Sequence, residues 1–245
     1  MNALTIGLTI ETSDGDTFNT LEDWGLAVGN TDYIGEPIME QVLIDVPYRS
    51  GVIDLSEAIT GYPVFKTRAL SFYMGGIRER LSWDTIISDL RNKIEGKMCK
   101  ITLDNDPNFY WQGRVFISDY SRIRKLGTFN ISVPNADAYK YEQKTSNEPW
   151  EWDPFSFVNG VIRSIGEITV SGEESVLIPY GYMIVSPEFI VADSANLEVT
   201  DGTHTHELVN GRNRFPDIKV NGKTETTLTF TGNGKVTIVY RGGSL

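Results

Sequence analysis

The chain of 245 residues has a single cysteine, Cys99, and only two histidines, His204 and His206. One cysteine excludes an intrachain disulfide, and with it the cysteine-rich zinc modules and dithiol redox pairs. Two histidines two positions apart leave little material for a triad, and no Gly-x-Ser-x-Gly elbow is present to expose a nucleophile. Positive charge is also short: 22 Lys and Arg stand against 33 Asp and Glu, a formal net charge of −11. A protein that grips nucleic acid by neutralising phosphates needs the opposite balance. No run approaches the ~18–20 apolar residues of a membrane helix. Met1–Thr5 carry neither the basic flank nor the apolar stretch of a secretory leader. The expectation is a soluble, cytoplasmically made protein with no cofactor and no membrane insertion.

What is there supports a folded chain. Hydrophobic residues make up 40%, enough for a core, and 22% charged residues argue against disorder throughout. The length fits one large domain or two ordinary ones. Acidity is spread evenly, with 15 basic against 20 acidic residues in 1–144 and 7 against 13 in 145–245.

The two parts differ in texture. All four Asn-Gly pairs fall after residue 150, at Asn159-Gly160, Asn210-Gly211, Asn221-Gly222 and Asn233-Gly234. Asn-Gly supplies the positive-φ pair of a type I′ turn, so each predicts a hairpin corner. The β-rich runs between them are Val161–Val170, Met183–Val191, Leu197–Thr200, Thr226–Phe230 and Val236–Tyr240. Short strands at this spacing predict an antiparallel β-sandwich over 145–245, without a helix. Residues 1–144 hold one helix signal: Ser82 as N-cap, a stripe of Ile86, Ile87, Leu90 and Ile94, and Gly96 as the stop. Around it lie Leu4–Ile10, Gln41–Val46, Ala69–Met74, Met98–Leu103, Arg114–Ile117 and Phe129–Val133, which predict strands. The fold class is mainly β with one helix packed on a sheet. Lys144–Pro154, with two prolines and no periodicity, reads as a linker, and Trp150 and Trp152 within it are too apolar for a free tether.

Candidate chemistry is thin. Asp104-Asn105-Asp106-Pro107-Asn108 starts like a calcium loop, but Phe109 stands where such a loop needs glycine and Val115 where it needs glutamate, so a solvated turn is expected. His204 and His206 would share a strand face and form a weak metal pair with Glu207, lacking a third ligand; exposed hairpin histidines are the plainer reading. Gly232-Asn233-Gly234-Lys235 lacks the phosphate-loop spacing and precedes a strand. Arg122-Ile123-Arg124-Lys125 is by default a solvated hairpin face and, as a functional site, an intersubunit salt-bridge patch. Many carboxylates permit many pairs, and their abundance gives a cell-wall glycosidase no positive support. No catalytic constellation emerges, and the expected protein is not an enzyme.

One resemblance adds to this reading. Asp45-Val46-Pro47-Tyr48-Arg49-Ser50-Gly51-Val52-Ile53-Asp54 resembles the Val-Pro-Gly-Arg-Asp-Gly-x-Leu-Asp segment of distal tail (Dit) proteins from long-tailed phages. Thr67-Arg68-Ala69-Leu70-Ser71-Phe72 is similar to that family's Asn-Arg-hydrophobic strand, and the stretch from Gly96 to Arg114 to its Asp-Asp-x-Pro…Tyr-Tyr-x-Gly-Arg region. Ala136–Tyr141 resembles the closing Asp-Pro-Tyr-Lys-Tyr of the family's first domain, and Tyr240–Leu245 its C-terminal signature. Tyr48 departs by replacing a glycine, which opens the question of that loop's backbone; Ala138 replaces a proline.

The resemblance implies a virion tail-tip protein assembled in the bacterial cytoplasm. Residues 1–144 would form a homohexameric ring with a channel for DNA in transit. The ring would join the tail tube protein to the tail-tip hub or to tail-associated fibre or lysin proteins. Residues 145–245 would form a galectin-like or carbohydrate-module-like sandwich that carries receptor-binding proteins or touches the cell wall. Candidate interface residues are Arg49, Arg122, Arg124 and Lys125. The rival reading is a glycan-binding adhesin acting through the sandwich, with Trp150, Trp152, Arg212 and Phe215 as sugar contacts and Arg214 beside them.

Overall fold

The computed structural model describes residues 6–29, 33–77, 80–149 and 165–245. They divide into two compact units, Met1–Asp106 with Tyr110–Lys140, and Pro107–Phe109 with Tyr141–Leu245.

In the first unit the elements run β1 (Leu8–Thr12), β2 (Thr17–Asn19), α1 (Thr20–Trp24), β3 (Ala27–Val28), β4 (Tyr33–Ile34), β5 (Leu43–Asp45), β6 (Val52–Asp54), β7 (Arg68–Ile77), α2 (Arg80–Ile94), β8 (Met98–Leu103), β9 (Phe109–Arg114), β10 (Phe116–Ile123) and β11 (Leu126–Ala136). One sheet has the order β9-β8-β1-β2, and a second β10-β11-β7-β3 with β4 also on β7. Strict alternation sets their inner faces. Leu8 and Ile10 of β1, Leu70, Phe72 and Met74 of β7, and Phe129, Ile131 and Val133 of β11 enter one core. Side chains of this size contribute about 1.5–3 kcal/mol each on full burial.

Helix α2 adds Ile87, Leu90 and Ile94 to that core along one stripe, and Gly96 follows in the left-handed conformation at φ 71°. Its start differs from the sequence expectation. Ser82 lies inside α2, not before it, and its neighbour Trp83 is fully buried. The Trp83 indole donates to the Lys125 carbonyl at 2.9 Å. A Cβ at Gly127 would stand 2.4 Å from the same ring, so only glycine lets β11 cross it. The short helix α1 was not expected; Asn19 caps it by accepting from the Leu21 and Glu22 amides.

The second unit contains β12 (Lys140–Glu142, with Lys140 in the first unit), β13 (Glu167–Ile178), β14 (Glu188–Thr200), β15 (Thr205–Glu207), β16 (Gly211–Arg214), β17 (Thr226–Val239) and β18 (Gly243–Ser244). A five-stranded antiparallel sheet has the order β13-β17-β14-β15, with β16 also on β14. Both halves of β14 and of β17 feed one core, through Phe189, Val191, Leu197, Val199, Leu228, Phe230, Val236 and Ile238. The sheet therefore folds over itself. The crease lies where Gly172 of β13 opposes Gly232 of β17 and where β14 shifts register twice between Ala192 and Glu198.

This corrects the hairpin assignment. Thr226–Phe230 and Val236–Tyr240 were expected as two strands about a corner at Asn233-Gly234, but β17 runs straight through that pair. The glycines serve close approach instead: a Cβ on Gly232 would lie 2.1 Å from the Asn196 carbonyl oxygen of the bulged β14. Asn210-Gly211 links β15 to β16, which both pair with β14 and not with each other. Asn221 is buried at φ 62° and donates its amide to the Met183 carbonyl at 2.6 Å. Asn159-Gly160 lies outside the described residues.

The described part of the expected linker is docked. Ser146 is fully buried, its hydroxyl donating to the Ile238 carbonyl at 2.8 Å and accepting from the Tyr240 amide at 2.9 Å. Arg241 donates to the carbonyls of Glu142 and Gln143, which ties the strand ends of this unit together.

Candidate assembly surface

Between β4 and β7 the chain leaves the core altogether: no residue from Glu36 to Thr67 is buried. Its stem is a narrow ladder in which Lys66 N–H donates to Ile38 O at 2.9 Å and Glu40 N–H to Val64 O at 2.8 Å. Phe65 meets Tyr139 edge-on at 5.9 Å, and burial raises the Tyr139 hydroxyl above its ordinary pKa. At the root, Arg68 donates to the Gly35 carbonyl at 3.3 Å and lies 4.1 Å over the Trp111 ring. Further out, β5 and β6 pair through Leu43↔Asp54, Ile44↔Ile53 and Asp45↔Val52. Ser56 hydrogen-bonds the Asp54 carboxylate and lowers its pKa, closing this hairpin on its polar side.

The corner at Val46–Arg49 is a type II turn. Arg49 N–H donates to Val46 O at 3.1 Å, Pro47 takes the second place, and Tyr48 holds φ 66° in the third. That third place favours glycine, and a non-glycine residue there costs about 1–2 kcal/mol. Tyr48 is completely exposed, at 110% of its reference area, so nothing in its own chain offsets that strain. Ile59 at 98% and Ile38 at 62% are bare as well, and Val42, Leu43 and Ile44 are exposed along the strand between. A two-stranded hairpin with this much apolar surface in water marks an interaction surface.

A second apolar patch lies at the end of the β10-β11-β7 sheet. Ile123 pairs with Leu126 and Leu126 with Ile77, so the three sit side by side across three strands. Ile77 is 73% and Ile123 71% exposed. Arg124 and Lys125 form the two-residue corner beside them, both exposed, with Arg124 at φ 57°. Arg122 reaches back to Asp84 on α2 at 3.2 Å. Of the four expected interface residues, the structure puts Arg122, Arg124 and Lys125 at this corner and Arg49 on the arm.

The remaining candidates fall elsewhere. His204 and His206 face different carboxylates, Asp201 at 3.3 Å and Asp217 at 2.8 Å, and do not converge on a shared site. Among the described residues no group of three or more His, Cys, Asp or Glu is placed to hold a metal ion. Phe215 is stacked on His206, 4.2 Å between centroids and 6° from parallel, and packs on the core, so that ring face is covered. Arg212 is exposed and 3.4 Å from Glu188. Trp150 and Trp152 lie outside the described residues. In the calcium-like run, Asp104 accepts from the Gly7 amide at 2.9 Å and Asp106 pairs with Lys140 at 2.6 Å, as turn residues.

No protein-family model matches the sequence, and no curated protein matches it. Among solved structures, the chain is similar to the Dit protein (gp 19.1) of phage SPP1, described as a paradigm of the hub adsorption apparatus in phages infecting Gram-positive hosts. The match has a TM-score of 0.59 at 14% identity, over 96% of this chain and 98% of that one. The chain has the fold of a phage distal tail protein. A component of the activated baseplate of phage p2 also aligns, over 98% of this chain and 95% of that one, at 9% identity and a TM-score of 0.39. With the distal-tail fold in hand, the departure at Tyr48 reads clearly. The backbone keeps the left-handed turn that glycine would favour, and the side chain is displayed at its tip. Sequence reading treated Gln41–Val46 as an ordinary strand and missed the arm. The resemblance at Asp45–Asp54 marked its tip, but the density of Ile, Val and Leu from Ile38 to Ile59 did not mark it as exposed, because a core strand shows the same density.

Proposed function

We propose that this protein is a structural component of a phage tail tip, not an enzyme, and that six copies close into a ring. The ring joins the tail tube protein to the tail-tip hub or tail-associated fibre or lysin proteins and leaves a channel for DNA. Residues 1–144 build the ring, and residues 145–245 form a separate sandwich that carries receptor-binding proteins or meets the cell wall. The observation that carries this reading is the arm, a long segment with exposed apolar side chains and no buried residue, in a chain whose fold matches a tail-hub protein nearly end to end. A subunit with two different bare patches is suited to a head-to-tail ring. Light-scattering mass of the purified full chain tests it: the expected result is six times 27.4 kDa. A monomer that persists at high protein concentration overturns it.

A second reading, a glycan-binding adhesin, is favoured by one observation in the second unit. Tyr180 and Tyr182 are both exposed on either side of Gly181, whose amide donates to Gly222 O at 2.8 Å beside buried Asn221. Paired exposed aromatics suit sugar stacking. Retention of the full chain on cell-wall polysaccharide, lost in Tyr180→Ala with Tyr182→Ala, supports this reading; no retention removes it.

A further inference from the structure

We propose that the arm of one copy docks on the β10–β11 corner of the next, held by apolar contact and by opposite charge. This rests on the ring reading and names the two surfaces that meet. The arm is acidic: between Glu36 and Thr67 it carries Glu36, Glu40, Asp45, Asp54 and Glu57 against Arg49 and, at its stem, Lys66. The corner is basic: Arg124 and Lys125 are exposed at its tip, Arg122 beside them pairs with Asp84 of α2, and no acid lies from Ser121 to Leu126. Each has an exposed apolar centre, Ile38 and Val42–Ile44 on the arm, and Ile77, Ile123 and Leu126 at the corner. Apolar centres rimmed by charge of opposite sign are what a specific protein contact requires.

Geometry sends the contact to a different copy. The arm departs at the Arg68 end of β7, where Gly35 N–H donates to Ala69 O. The corner lies at the Ile77 end, paired to Leu126. Nine residue steps of strand, about 30 Å, separate the two ends. The patches are therefore different surfaces on opposite ends of one strand, and joining them copy to copy gives a head-to-tail contact that closes only as a ring.

The test uses the full chain with two charge-reversed variants. The arm variant carries Asp45→Arg and Glu57→Arg, and the corner variant Arg124→Glu and Lys125→Glu. Every altered side chain is exposed, and circular dichroism melts check that both variants fold. The expected result is a wild-type oligomer, loss of assembly in each variant alone, and recovery of assembly when the two are mixed in equal amounts. In the mixture each acidic arm meets a basic corner and each basic arm an acidic corner. Oligomers that survive in both single variants overturn the docking proposal and leave the ring standing. Monomeric variants whose mixture stays monomeric also overturn it. A monomeric wild type removes the ring reading, and the docking with it. A salt titration of the wild type gives an independent readout if a variant does not fold. The oligomer is expected to dissociate at lower protein dilution in ~1 M salt, where screening acts within about 3 Å, and insensitivity to salt counts against charge pairing.

Discussion

Replacing Tyr48 with glycine separates what the turn costs from what the tyrosine does. In the free chain the phenol ring touches nothing, so its removal takes away no contact. The left-handed backbone at φ 66° costs a side-chain-bearing residue about 1–2 kcal/mol. Glycine removes that cost but adds disorder to the open hairpin, worth about 0.5–1 kcal/mol the other way. The net expectation is a hairpin more stable by about 0.5–1 kcal/mol, a two- to fivefold change in its opening equilibrium. Because no residue from Glu36 to Thr67 is buried, the hairpin opens without unfolding the core, and global Tm is expected to stay put. Amide hydrogen exchange at Leu43–Asp45 and Val52–Asp54 reads the local effect directly. Tyr48→Gly should slow exchange there two- to fivefold, whereas Tyr48→Ala, which keeps the backbone cost, should not. Faster exchange in Tyr48→Gly would show that the ring supports the hairpin from within, and would refute the reasoning. Both variants should weaken assembly, because the displayed ring is then missing from the neighbour's surface.

Three further outcomes follow from the packing. Gly127→Ala is expected to lower Tm through overpacking against Trp83, at a cost of about 1–3 kcal/mol. Adding Trp83→Phe to the same chain should return part of the loss, as a double-mutant cycle by thermal melts would show. Burial pushes the Cys99 thiol up to about 11, so native protein at pH 8 should resist a thiol reagent, and denaturant should release one reactive thiol per chain. The Trp24 indole N–H at 3.0 Å and Lys93 at 3.0 Å hold the Asp89 carboxyl below its ordinary value. Its contribution to stability is present above about pH 4 and lost as pH falls through the lowered folded value. Asp89→Asn should flatten that part of the acid melt, and an unchanged acid profile would disprove the linkage.

The sequence was most readable where burial is internal to one chain. Met98–Leu103 matches β8 end to end, and Ile87, Leu90 and Ile94 with Gly96 marked the buried stripe and stop of α2. The same stripe runs one turn further back to Trp83, which a helix starting after Ser82 places at its first position and which the structure buries in the core under Gly127. The Asn-Gly pairs pointed correctly to β structure but not to where it turns. Asn221 and Gly234 take unusual backbone angles beside segments distant in sequence, Gly181 to Met183 for Asn221 and β14 for Gly234, and those neighbours are not local in sequence. The arm was illegible for a different reason. Strands that face a partner and strands that face a core obey the same alternation, and on the ring reading the other half of the contact belongs to a neighbouring copy.

The bareness of that arm also bears on how such a protein changes over generations. A substitution in the core of β7 or β11 is screened at once by folding, because every inward position there is occupied. From Glu36 to Thr67 that screen is lifted. On the ring reading, a subunit with an altered arm still folds and carries that arm to its neighbour. The ring reading thus predicts that fold and partner choice are written in separate stretches of one chain. An arm substitution that alters assembly should then leave the melting temperature of the isolated subunit unmoved.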